Sequence, residues 1–296
     1  MKQRTLAKVV EIVGIGLHSG LPVTMRLEPM PIDSGILFYR KDKGITLPVD
    51  AKYVVDTRLA TVLGRQGVII STIEHLLSCI SAYGIDNLRV VIDSDEVPTM
   101  DGSSASFCIL LDEAGILQQE AKKRVMVIKK EVVVSDGPKF AKLLPAKRNE
   151  ILFEISFSHP VIRDQKYRFL YTKENYIKEI ARARTFGFLK EIQYLHSIGK
   201  GKGGSLENCI VLDDKRVLNG EGLRFQDEFV RHKILDAIGD MAFLGMPFMG
   251  RYESFAGSHH LNHLLTKAVL ENADAYEIVE VGEARMAELE HAFAKS

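Results

Sequence analysis

Two short stretches hold the side-chain types that hydrolytic metal chemistry needs: Ser71-Thr72-Ile73-Glu74-His75, and Arg231-His232-Lys233 running on to Asp236 and Asp240. His232 and Asp236 lie four residues apart, so on a helix they project from one face. A neutral imidazole and a carboxylate so placed can hold two corners of a tetrahedral zinc site. A third histidine from elsewhere leaves the last corner open to water, the layout of a catalytic rather than a structural zinc. His75 is the natural third ligand, and Glu74 beside it is a natural general base.

Each residue also has a plainer reading. Ser71 and Glu74 fit a capping box, with Ser71 as N-cap and Glu74 at N3. His75 by itself is an ordinary histidine of a first helical turn. His232 and Asp236 fit a solvated helix face. Against that, Ile234, Leu235, Ile238, Met241 and Ala242 form an apolar side, and His232, Asp236 and Asp240 form a stripe that lacks the usual Lys or Glu. Asp240 stands about 12 Å along the axis from His232 at 1.5 Å per residue, too far to share one ion. It suits a carboxylate that orients another group. His259, His260 and His263 read either as a metal tract or as a residue preceding a helix (His259) followed by two on its surface. Gly199 to Gly204 lacks the Gly-Lys-Ser/Thr ending of a phosphate loop and reads as a mobile loop.

The elements that must carry these residues alternate in blocks. Strand patterns cover Leu6 to Gly14, Pro22 to Leu27 and Gly35 to Tyr39. A helix over Ser71 to Tyr83 stops at Gly84, a strand covers Asn87 to Ile92, and a second helix covers Ala105 to Gly115. Strands begin again at Val125 to Val134, Ala141 to Leu144, Ile151 to Phe157 and Tyr167 to Tyr171. Helical patterns follow at Lys173 to Ala183, Phe188 to Ile198, Asp227 to Leu244 and His260 to Glu271, with a short strand at Cys209 to Leu212. Strands then helices, twice, predict an α+β fold. The shift from polar to basic at Gln118 to Lys123 predicts a division after residue 122.

The chain has 296 residues, with 39 basic and 39 acidic side chains and no net charge, which argues against a nucleic-acid partner. No stretch approaches the apolar run of about 18 residues that spans a bilayer. Nor does any early segment have the make-up of a signal peptide. Cys79, Cys108 and Cys209 form no Cys-x-x-Cys pair and suggest free thiols in a reducing compartment. Together these predict a soluble cytoplasmic protein.

Further stretches, in order, are Gly16-Leu17-His18-Ser19-Gly20, Gly84-Ile85-Asp86-Asn87, Pro98 to Ser103, Ser158-His159-Pro160, Arg182 to Phe188, Gly203-Gly204-Ser205, Arg216 to Asn219, Gly222 to Gly239 and His259 to Asn262. With Ser71 to His75, this set resembles the UDP-3-O-acyl-N-acetylglucosamine deacetylase family of lipid A biosynthesis in Gram-negative bacteria, over roughly residues 3 to 280.

The resemblance implies two domains of similar α+β topology, each a small sheet layered with helices, with the active site at their junction. These would be residues 1–122 and 123–281, with an acyl-passage insert near 185–212 and a helical tail over 282–296. It implies Zn²⁺ held by His75, His232 and Asp236, with Glu74 as base. His259 would assist the tetrahedral intermediate and the leaving amine, oriented by Asp240. Thr185 and Lys233 match positions that contact the intermediate or substrate, Phe157 the aromatic at the uracil end, and Phe186, Leu189 and Ile192 the substrate passage. The implied reaction is hydrolysis of the N-acetyl group of a UDP-linked acylated amino sugar, with Glu74 and His259 both open as the proton source for the amine. Ser258 stands where the family has Gly before the catalytic histidine, and Lys200 and Lys202 make the insert loop more basic than in relatives. A zinc amidohydrolase for another acylated amino sugar, and a non-catalytic protein with a structural zinc, are the alternatives. A monomer is expected.

Overall fold

A computed structural model describes residues 1–281. The expected tail helix over 282–296 lies outside the described residues. The first part contains β1 (Lys2–Leu6), β2 (Val10–Ile15), β3 (Pro22–Pro29), β4 (Ile36–Arg40), β5 (Ile45–Pro48), β6 (Val54–Asp56), β7 (Val62–Arg65) and β8 (Val68–Ile70). Helix α1 (Glu74–Ala82), β9 (Leu88–Ile92) and α2 (Ala105–Ala114) follow. Then come β10 (Ile116–Ile128), β11 (Val132–Asp136), β12 (Lys139–Leu144), β13 (Glu150–Ser156), β14 (Asp164–Leu170), the single turn α3 (Lys173–Asn175), β15 (Phe186–Phe188), α4 (Leu189–Ser197) and β16 (Ile210–Leu212). The chain continues through α5 (Glu228–Met241), β17 (Phe248–Met249), β18 (Arg251–Phe255), α6 (His259–Glu271) and β19 (Tyr276–Val281). Among the described residues no helix is long and apolar enough to cross a membrane.

The architecture is α+β and repeats itself. One sheet has the order β2-β3-β9-β4-β5, the other β11-β12-β18-β13-β14. In each, two hairpins flank a central strand that arrives last. That strand runs antiparallel to one hairpin (β3 with β9, β12 with β18) and parallel to the other (β4 with β9, β13 with β18). A helix precedes each central strand (α1, α5) and another follows it (α2, α6). The strands bury alternate residues, Val23, Met25 and Leu27 on β3 and Ile151, Phe153 and Ile155 on β13, so each sheet has one face for helices.

Helices α1 and α5 are buried nearly all round and lie against each other in the middle of the molecule. Their axes approach closely at Gly239, where a Cβ would collide with the carbonyl oxygen of Glu74. That contact brings the Glu74-His75 end of α1 against the face of α5 that carries His232, Asp236 and Asp240. Gln118 to Lys123 lies inside β10, which pairs with β1 and β19. Lys123 is 2 % exposed there, bound to Asp86 at 2.9 Å and to the Gly84 carbonyl at 2.7 Å.

Several boundaries differ from the sequence expectation. Leu6 to Gly14 is split into β1 and β2, and the short strands β5 to β8 carry too few residues for a period to show. The helix expected over Lys173 to Ala183 is one α turn followed by a π turn, Tyr176–Ile180. The Gly199 to Gly204 loop is tied down: Lys202 N–H donates to His18 O (3.2 Å) and Gly203 N–H to Leu17 O (3.0 Å).

Candidate active site

Helix α1 begins at Glu74, not at Ser71. The capping-box reading is therefore corrected: Ile73 holds the N-cap position with no side-chain cap, and Ser71 bridges to Glu96 in an extended segment. Thr72 between them takes φ of +57°, a costly conformation for a β-branched residue, and its hydroxyl donates to the buried Glu96 carboxylate at 3.1 Å. Freed from capping, Glu74 points inward at 3 % exposure. The Ser104 hydroxyl donates to the His75 carbonyl (2.7 Å) and steadies this first turn.

Three acceptors meet beside it. His75 Nε2 lies 3.6 Å from Asp236 Oδ1, and His232 Nε2 lies 3.3 Å from the same oxygen. All three atoms fall within 4.8 Å of one another. His232 gives its Nδ1 proton to the carbonyl of Ala183 (3.1 Å), so its Nε2 presents a lone pair. Burial pushes the pKa of His232 down to about 3, so the ring is neutral. Burial alone would raise Asp236, but its charged and hydrogen-bonding neighbours outweigh it and hold the carboxyl well below its usual range; Lys233 Nζ reaches Oδ2 at 2.8 Å. Asp236 Oδ1 is buried with no hydrogen-bond donor. Two imidazole nitrogens and one carboxylate oxygen converging in a buried space suit a cation. Separations of 3.3 and 3.6 Å also match the edges of a tetrahedron with arms of ~2.0–2.1 Å.

A second group adjoins the first. Glu74 Oε1 faces His259 Nε2 at 3.7 Å, and His259 Nδ1 is bound to Asp240 Oδ2 at 2.9 Å. Burial raises the pKa of the Glu74 carboxyl, against the pull of His259 and His75. Burial works to lower His259, but Asp240 and Glu74 outweigh it and raise it to about 9. The pair is thus a carboxylate with enhanced basicity opposite an imidazolium.

A triad that could hold a metal ion, a buried carboxylate and an oriented histidine would suit a metallohydrolase, and comparison with known proteins narrows the class. The family model for LpxC, UDP-3-O-acyl N-acetylglycosamine deacetylase, matches residues 3–271. The chain belongs to this family. Among relatives named UDP-3-O-acyl-N-acetylglucosamine deacetylase, one from Nitratiruptor sp. is 62% identical over 280 residues, covering 95% of this chain and 94% of its own. One from Sulfurimonas denitrificans is 59% identical, with 99% of this chain and 100% of the relative covered. One from Campylobacter jejuni is 56% identical, again covering 99% of this chain and 100% of its own. The protein is accordingly a deacetylase, a hydrolase.

Within this deacetylase the predicted residues gather unevenly. His75, His232, Asp236, Glu74, His259 and Asp240 form one buried cluster. Lys233 joins through Asp236, and the Phe186 ring lies 6.4 Å from His232 and 5.9 Å from Lys233 Nζ. Phe157 packs 6.0 Å from Phe186 and 6.2 Å from Phe188, giving a half-buried aromatic group at the margin. Thr185 is held by its backbone, which donates to Gly102 O and accepts from Ile210 N–H, each at 2.8 Å. Leu189 and Ile192 lie on α4, which buries none of its residues.

His259 is the first residue of α6, not the residue before it. Ser258 takes the N-cap position and accepts from Leu261 N–H at 3.3 Å. His259 then turns toward Asp240, while His260 is exposed. Sequence reasoning missed two partners of Asp240 and a third residue that reaches it through one of them. Asn262 donates to Oδ2 at 2.8 Å, fully buried Tyr252 donates to Asn262 at 2.6 Å, and Thr61 donates to Oδ1 at 2.6 Å. Only Asn262 stood in a quoted motif; nothing local marked Thr61 or Tyr252.

Proposed function

We propose that this protein hydrolyses the N-acetyl group of UDP-3-O-(3-hydroxyacyl)-N-acetylglucosamine, releasing acetate, as a zinc-dependent step of lipid A biosynthesis. The convergence of His75, His232 and Asp236 beside the Glu74–His259 pair carries this reading. His75, His232 and Asp236 hold the Zn²⁺. When bound, it supplies a Lewis acid for the acetamide carbonyl and the attacking water. Glu74 takes the proton of that water through Oε1, while Oε2 is held by the Thr61 N–H at 3.2 Å. His259 is cationic at neutral pH through Asp240. It faces the charge that develops on the carbonyl oxygen and is the proton source for the leaving nitrogen. Thr185 supports the same oxyanion, and Lys233 contacts the substrate beside Asp236.

Phe157 takes the uracil end, and Phe186, Leu189 and Ile192 line the way for the acyl chain. The working division is residues 1–122 and 123–281, with the acyl insert near 185–212. The proposed state is a monomer, and free Cys79, Cys108 and Cys209 are in keeping with the cytoplasm. Acetate release from the acylated UDP-sugar tests the proposal, with the same sugar lacking the acyl chain as comparison. Glu74→Ala should keep its zinc and lose about 10²- to 10⁴-fold in turnover, the usual share of an acid–base group. Equal processing of the two sugars would point to a different acylated amino sugar as substrate. Near-normal turnover by Glu74→Ala would remove the base.

A further inference from the structure

Base and acid of the proposed reaction stand on different helices: Glu74 on α1 and His259 on α6, the latter oriented by Asp240 on α5. One residue outside all three helices touches two of these groups. Thr61 lies just before β7 and is 2 % exposed. Its backbone N–H donates to Glu74 Oε2 at 3.2 Å, and its hydroxyl donates to Asp240 Oδ1 at 2.6 Å. We propose that Thr61 is a positioning residue that sets Glu74 and Asp240, and through Asp240 the His259 ring, in register for proton transfer. This inference rests on the acid–base reading of Glu74 and His259.

The partners of each carboxylate oxygen set how freely it can turn. Asp240 Oδ2 is shared by His259 Nδ1 and Asn262 Nδ2, and among the described residues Thr61 alone is bound to Oδ1. The terminal torsion of an aspartate is broad and roughly two-fold, so a carboxylate held at one oxygen can swing. Anchoring the second oxygen fixes its plane, and with it the direction along which it holds His259. On the other side, the Thr61 N–H occupies Glu74 Oε2 and leaves Oε1 toward His259 Nε2, 3.7 Å away. Threonine is stiff at its first side-chain torsion, so its two donors keep a set relation to each other. Ala60, Val62 and Leu63 are buried around it and hold its backbone in place. Serine would keep both donors with less stiffness. Valine would keep the shape and the N–H but remove the hydroxyl, leaving a buried carboxylate oxygen unpaired.

The test uses the full zinc-loaded chain in five forms: wild type, Thr61→Val, Thr61→Ser, Asp240→Asn and Thr61→Val with Asp240→Asn. Thr61→Val is expected to keep one zinc per chain and a KM within about twofold of wild type, while kcat falls about 10- to 100-fold. Thr61→Ser should recover most of that loss. The double variant should turn over no more slowly than Asp240→Asn alone, because the hydroxyl acts only through that carboxylate. Wild-type kcat in Thr61→Val, a loss confined to KM or zinc content, failure of serine to rescue, or multiplied losses in the double variant would each overturn the inference. If Thr61→Val does not fold, Thr61→Ala removes the same hydroxyl without placing a methyl against the carboxylate, and the same outcomes apply. An impaired Asp240→Asn beside a normal Thr61→Val removes the Thr61 role alone. A normal Asp240→Asn removes the acid–base reading and the inference with it.

Discussion

The acid–base pair takes its character from burial acting in opposite directions on two groups. Glu74 is a buried carboxylate, so its pKa rises; His259 is buried too, but Asp240 and Glu74 reverse the effect and carry it to about 9. In the proposed reaction Glu74 acts ionised, so turnover should rise with pH through a limb above the ordinary carboxylate range. His259 acts protonated, so turnover should fall as pH passes about 9. In Asp240→Asn the largest of the charges that raise His259 is gone, and the basic limb should move down from about 9 toward the ordinary imidazole value of about 6.5. Its position is read from kcat/KM against pH with the zinc-loaded variant; a limb that stays put belongs to another group. The sign for stability follows from the same shift. A histidine raised on folding contributes stability that is fully present below about 6.5 and is lost as pH climbs through about 9.

Two elements decide how these residues meet. Where α1 and α5 cross, Gly239 lets the backbone at Glu74 approach without an intervening side chain. Gly239→Ala puts a methyl against a backbone carbonyl, which cannot move aside as a flexible side chain could. It should cost about 1–3 kcal/mol or more, visible as a lower midpoint in thermal unfolding, and should depress activity by parting the two helices. A variant as stable and active as wild type would show that the crossing has slack. Helix α4 is the contrary case. It buries no residue, and Leu189 is 48 % exposed, so its apolar side is not core packing. Ile192→Asp should therefore leave the fold and zinc content intact while weakening acylated substrate. At about 0.8 kcal/mol per methylene, losing contact with two of them costs about tenfold in affinity. Unfolding of that variant, or an unchanged preference for acylated over non-acylated sugar, would place the acyl chain elsewhere.

At the scale of the whole molecule, the two sheets with their helices close a core before any ion is considered. Buried apolar residues run continuously from Leu6 through α1 and α5 to Val269. Chelation should therefore abolish acetate release while far-UV circular dichroism stays native, and added Zn²⁺ should restore turnover. Collapse of the fold on chelation would instead mark a structural ion.

Residue types and short spacings marked most of the residues that gather in this cluster. His232, Asp236 and Asp240 share a helix, so a period of 3.6 residues sets their relative directions before any tertiary contact forms, and Glu74-His75 are neighbours in the chain. The block order of strands and helices likewise followed from local patterns, which reflect short-range sterics and the alternation of buried faces. What joins α1 to α5 is not local. The Thr61–Asp240 bond spans 179 positions, the Ala183–His232 bond 49, and the Tyr252 hydroxyl enters only through Asn262. No spacing encodes such pairs; they arise when two similarly built sheets bring their helices together. The same packing set the ends of the helices. Thr72 adopts its strained turn because Glu96 holds it there, so α1 starts at Glu74 and that carboxylate is free for chemistry rather than capping. Composition thus determined which groups were present and which shared a face. Only the tertiary structure decided which buried oxygen faces which nitrogen, because that depends on contacts between segments far apart in the chain.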